Sequence, residues 1–277
     1  MSSIPSTIIR TISDINNLQK NKSILIAGFP GPGLVGSIST SYIIDKLNMH
    51  QIACVESEYI SPGVIYVDGK LRHPFRLYAN SEGNVCVIVC EAPIMINGIH
   101  SVLGTVIDWA IKNTIQEVLV LDGIAVSGIP RSDRQPIILG STEMDEKIEN
   151  IDNKNLDVPA NQCKLPSNFN RSIIEDANKK YTTFIGGIAG GLLSACLSYQ
   201  IPCTAILIPS SSGIPDPEGA AILIESYNSI IKNDRLKINS NQLKEQGQIL
   251  KKQLEQIIKS EQQQRDGSIT DQDLMYG

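Results

Sequence analysis

An α/β fold is what this sequence predicts: a three-layer sandwich around a mostly parallel, mixed sheet. Three observations carry the prediction. Short apolar runs alternate with segments of helical periodicity between Ser23 and Ile231. Several runs, such as Val85-Cys86-Val87-Ile88-Val89-Cys90, are apolar at every position, which suits a strand covered on both faces. Asp68-Gly69, between Ile65-Tyr66-Val67 and Leu71, is a hairpin turn signal and adds an antiparallel portion.

Taken in order, Ser23 to Phe29 reads as a buried strand that ends in a Gly/Pro loop, followed by a helix from about Leu34 to Leu47. Gln51 to Val55 is a second strand, Val64 to Tyr78 a hairpin, and Val85 to Cys90 a buried strand. A helix from Ile99 to Lys112 places Val102, Val106, Trp109 and Ala110 along one side, and Glu117 to Gly123 is the next strand. From Ser141 to Lys180 the chain is rich in Asn, Asp, Glu and Lys, which predicts loops with one or two short helices or strands. Order returns at Tyr181 to Ile185. A glycine turn (Gly186, Gly187, Gly190, Gly191) leads into a short helix from Leu192 to Tyr199, and Thr204 to Ile208 is the last buried strand. Asp216-Pro217-Glu218 opens a helix to about Ile231, with Asp216 as N-cap, Pro217 at the first helical position and Glu218 favourable to the dipole.

The 277 residues, 42% hydrophobic and 19% charged, suit one large domain with appendages rather than two full domains. A net charge of −5 argues against a broad nucleic-acid or anionic-membrane surface. Met1-Ser2-Ser3-Ile4-Pro5 lacks the basic start of a secretory leader. The apolar stretch Phe184 to Pro209 is too interrupted by Gly, Ser and Pro202 for a membrane span. Six cysteines, with no C-x-x-C among them, read as reduced structural thiols of a cytoplasmic protein. Cys86 and Cys90, four apart on a strand, would lie roughly 13 Å apart, too far to share a metal. His50, His73 and His100 have no partner spacing either.

Three regions are expected: the α/β domain over residues 1–235, an amphipathic helix over 236–261, and a flexible tail over 262–277. Leu243, Leu250, Leu254 and Ile257 keep a/d-like spacing with Gly247 in one seam slot, so the helix packs on a partner or on its own domain. The tail is too polar to bury itself, yet ends in Leu274-Met275-Tyr276-Gly277. A mobile carboxylate beside Tyr276 and Met275 suits docking: the ring fills a cleft, its hydroxyl finds a hydrogen bond, and the carboxylate pairs with a lysine.

Gly31-Pro32-Gly33-Leu34-Val35-Gly36 is a literal G-x-G-x-x-G between strand and helix, with Glu56 twenty residues on, the layout of a dinucleotide fingerprint. Against it, Pro30 and Pro32 each remove a backbone N–H from the would-be phosphate cradle. No Lys or Arg lies between Ser23 and Asp45. The preferred reading is that these glycines permit a tight turn and close helix–strand packing. The alternative is an NAD-binding or phosphorylase/hydrolase-like enzyme using Gly31, Gly33, Gly36 and Glu56, with His100 as a base. Asp122 and Asp216 are further strand-end acids. G-x-S-x-G, H-E-x-x-H and G-x-x-x-x-G-K-[ST] are all missing, so neither catalysis nor a cofactor is expected.

Gly28-Phe29-Pro30-Gly31-Pro32-Gly33-Leu34-Val35-Gly36, the Asp122-Gly123 strand end, the Gly187 to Leu193 glycine turn and Asp216-Pro217-Glu218-Gly219-Ala220-Ala221 together resemble the archaeal proteasome assembly chaperone family, relatives of proteasome assembly chaperone 2. The likeness covers roughly Lys22 to Leu236. It implies a fold distantly like the purine nucleoside phosphorylase group, without established catalysis. Some members carry a C-terminal hydrophobic–Tyr–any residue motif that enters pockets between α subunits of the 20S proteasome; here it falls on Met275-Tyr276-Gly277. The same likeness implies a homo-oligomer, of the homotetrameric type; ATP is expected to be unnecessary because no phosphate loop is present.

Overall fold

The computed structural model describes residues 7–13, 18, 23–67, 69–128, 130–131, 133–141, 184–254 and 256. The predicted insertion and tail, Cys163, and the docking motif Met275-Tyr276-Gly277 lie outside the described residues.

The strands are β1 (Thr7–Thr11), β2 (Ile24–Gly28), β3 (His50–Ser57), β4 (Ile65–Val67), β5 (Lys70–Arg72), β6 (Phe75–Ala79), β7 (Val85–Cys90), β8 (Glu117–Val126), β9 (Ile137–Gly140) and β10 (Cys203–Ser211). The helices are α1 (Val35–Lys46), α2 (Ile99–Lys112), α3 (Gly187–Ser198), α4 (Pro217–Ile230) and α5, residues 241–254. Eight strands form one mixed sheet in the order β1-β3-β6-β7-β2-β8-β10-β9. The four central strands β7, β2, β8 and β10 are mutually parallel. Antiparallel neighbours flank them: β6, β3 and β1 on one side, β9 on the other.

Two apolar layers close over this sheet. Leu25 and Ala27 of β2 face α2 and α3, among Val102, Leu103, Val106, Leu192 and Cys196. Ile26 faces α1 and α4, among Val35, Ile43, Leu223, Ile224 and Tyr227. That two-sided burial is why β2 and β7 are apolar throughout. Among the described residues no helix is long and apolar enough to cross a membrane. Cys54, Cys86, Cys90, Cys196 and Cys203 are buried free thiols, as their apolar setting predicts.

Five elements differ from the sequence reading: β1, β9, β6, α3 and α5. β1 and β9 are edge strands that the alternation of runs does not pick out; each rests on a single partner, β3 or β10. β4 and β5 form the expected hairpin, Gly69 taking φ +73° at its tip, but β6 leaves it for the main sheet. The glycines expected to form a turn lie mostly inside α3, where a side chain at Gly191 would come within 2.8 Å of Leu103 Cδ1 on α2. Gly191 is thus a spacer between the two helices. Finally, α5 begins at residue 241, after a 3₁₀ turn Asp234–Leu236, and folds back onto its own chain: Leu243 is 3% exposed in the α1/α4 layer.

Candidate functional site

The parallel strands all end at one rim of the sheet, where open α/β folds place their ligand sites. There the chain leaves β2 through Phe29-Pro30-Gly31-Pro32 and folds sideways onto β8. A side chain at Gly31 would meet Asp122 Oδ1 at 2.5 Å, and one at Gly123 would meet the Pro32 carbonyl oxygen at 2.4 Å. Gly33 takes φ +65° and its carbonyl accepts from the Asp216 amide at 2.8 Å. Leu34, also left-handed at φ 51°, turns the chain into α1. Behind this bend, Gly28 and Gly36 hold β2 against α1: an added methyl at Gly28 would stand 2.2 Å from the Gly36 carbonyl oxygen. The glycine motif therefore packs two elements together, the role its two prolines favoured.

Between this loop, the end of β8 and the start of α3 lies a cavity of about 370 Å³, lined by Pro30, Gly31, Asp122, Gly123, Phe184 and Gly187 among others. Among the described residues that line it, Asp122 is the one titratable group. Its Oδ1 accepts from the Gly123 amide at 2.8 Å, yet burial pushes the carboxyl up to about 6. The cavity thus holds an acid that ionises close to neutral pH. Among the described residues no Lys, Arg or His lines it to counter a phosphate.

The remaining predicted members of a dinucleotide site are not brought here. Glu56 stands near the end of β3, with β6 and β7 between β3 and β2. Both its oxygens accept from Arg10 on β1, at 2.8 and 2.9 Å. His100 is exposed in the first turn of α2 and lines neither described cavity. The fingerprint fails because its acid belongs on the strand adjoining the glycine loop, and β6 and β7, lying between β3 and β2, displace it.

Beside the cavity, Asp216 caps α4 by accepting from the Gly219 amide at 2.8 Å. It also receives Arg134 Nη2, and Ser210 Oγ lies 2.9 Å from its Oδ2. Arg134 was invisible in the sequence, one cation in a polar loop, yet its side chain is only 3% exposed. Next to it, Pro130, Pro215, Pro217 and Glu218 form a narrow groove against Gly247, Leu250 and Leu254 of α5. Gly247 is what allows the seat: a side chain there would meet the Glu218 amide nitrogen at 2.8 Å. Leu243, Leu250 and Leu254 thus face their own domain.

A mixed α/β sandwich with an acid-bearing cavity at the carboxyl rim and a C-terminal helix moored beside it is the class of protein so defined. The chain belongs to the PAC2 family, whose model matches residues 25–258. It is 29% identical to a Thermoplasma acidophilum protein of unknown function, whose crystal structure matches with a TM-score of 0.65 over 92% of each chain. Pyrococcus furiosus PbaA, an archaeal homolog of proteasome-assembly chaperone, matches with a TM-score of 0.69 at 19% identity, over 97% of this chain and 99% of that one. Pyrococcus furiosus PbaB, an archaeal proteasome activator, gives 0.69 at 18% identity, over 92% of this chain and 99% of that one. These last two likenesses speak to the fold.

Proposed function

We propose that this chain is a binding factor of the proteasome, an assembly chaperone or activator-like protein, rather than an enzyme. Its working end is Met275-Tyr276-Gly277, which docks into pockets between α subunits of the 20S particle. Membership of the PAC2 family and the fold shared with PbaA and PbaB support the reading. The observation that carries it is the mooring of α5 on the domain through Leu243 and Gly247, because it gives the tail a fixed root. From Gln262 to Met275 an extended tail would reach up to roughly 45 Å, enough to enter a partner while the domain sits above it. A single such tail binds weakly. Several on one homo-oligomer, a tetramer in this proposal, gain affinity through effective concentration.

The test is a pull-down of 20S α-rings by the full chain, run without ATP beside a variant lacking Met275 to Gly277 and a Tyr276→Ala variant. The full chain should retain the rings and both variants lose them, with unchanged circular dichroism. Undiminished retention by the truncated chain refutes the proposal.

A further inference from the structure

Cys54 and Glu56 project from the same side of β3, and His73 lies in the link between β5 and β6. In the fold, Cys54 Sγ, a Glu56 carboxylate oxygen and a His73 ring nitrogen all lie within 4.8 Å of one another. Nothing in the sequence spacing marks this cluster, since His73 follows Glu56 only after an intervening hairpin. We propose that these three side chains form a zinc(II) site: a thiolate, a carboxylate oxygen and an imidazole nitrogen take three corners of a tetrahedron, and water takes the fourth.

The donor set selects the metal. A thiolate with an imidazole suits zinc, while magnesium and calcium take all-oxygen sets. Ligands around tetrahedral zinc stand about 3.3–3.8 Å apart, so closing the cluster asks for movement of roughly 1 Å. The exposed His73 side chain can supply that movement. Cys54, fully buried on a strand paired on both sides, provides the fixed corner. Coordination requires the thiolate, so the thiol proton passes to solvent as the metal enters.

The surroundings are organised around the same three residues. Arg76, opposite Cys54 on β6, donates through Nη1 to the His73 carbonyl and so pins the backbone from which the imidazole projects. Its own charge is met by Glu91. Arg10 holds Glu56 through both oxygens, and each oxygen keeps a second lone pair for a metal. With 60% of its side chain exposed, Arg10 is free to swing away. Its positive charge nonetheless opposes a cation at the same carboxylate, so its removal should favour the metal.

The full-length protein, stripped with a chelator and re-dialysed, would be titrated with Zn²⁺ against a chromophoric chelator and, separately, with Co²⁺ followed by absorption. The expected result is one metal per chain and a sulfur-to-cobalt charge-transfer band that Cys54→Ala abolishes. His73→Ala, at an exposed position that does not threaten folding, should weaken zinc binding roughly tenfold or more. Arg10→Ala should tighten it. A wild-type chain that takes up no zinc from excess metal overturns the proposal. So does binding left unchanged by both Cys54→Ala and His73→Ala in variants with native circular dichroism.

Discussion

Arg134 donates through one terminal nitrogen to both carboxylate oxygens of Asp216, at 2.7 and 2.8 Å, joining the polar loop after β8 to the first turn of α4. The pair is nearly dry, with side-chain exposures of 3% and 11%. Removing one partner of a buried pair leaves an uncompensated charge, at about 3–5 kcal/mol, and losing an N-cap costs about 1 kcal/mol. Asp216→Ala should therefore destabilise the domain by at least about 3 kcal/mol in urea titration. Asp216→Asn, which keeps a cap oxygen for the Gly219 amide, should cost less.

Asp122 makes stability depend on pH. Its carboxyl titrates at about 6 in the folded chain and near 3.9 when unfolded. Between those values the native state binds more protons, so its stabilising effect is complete below about pH 4 and fades as pH rises through 6. Asp122→Asn removes that dependence. Relative to wild type, the variant should gain up to about 3 kcal/mol between pH 4 and pH 7 in denaturant titrations.

Two glycines should respond with opposite signs. A methyl at Gly36 would stand 2.5 Å from the Leu121 carbonyl oxygen, a backbone atom of the central sheet that cannot yield. Gly36→Ala should cost several kcal/mol, about 3 or more, and much of the soluble yield. Gly104, inside α2, has nothing within 4 Å of such a methyl. Gly104→Ala should raise stability by about 0.5–1 kcal/mol in thermal melts.

Gly247→Leu should lift α5 from α4, because the added side chain would fall on the Glu218 backbone. Hydrogen exchange over residues 241–254 should quicken strongly, while the amides of β2, β7 and β8 keep their protection. Unchanged exchange in the helix would show that Gly247 is not its seat.

How far the sequence could be read follows from where each signal resides. β2, β7, β8 and β10 sit between two helical layers and advertise it by apolar runs, while Asp216-Pro217-Glu218 carries its own capping chemistry. β1 has no such signature: Thr7 to Thr11 become a strand because Ser57 to Ala53 offer them a ladder, information held in the partner. In α3, Gly191, read as part of a turn, is a spacer against α2, which no local pattern distinguishes. The rim was legible as far as the prolines that spoil a phosphate cradle. Arg134 meeting Asp216, and His73 meeting Cys54, depend on sheet order and so stayed hidden.

The glycine seat of α5 lets a helix lie against the opening turn of another with no side chain between them. What makes such a joint is emptiness, so it fails by gaining atoms: a bulky residue at 247 acts as a wedge, whereas shortening Leu250 or Leu254 only loosens the fit.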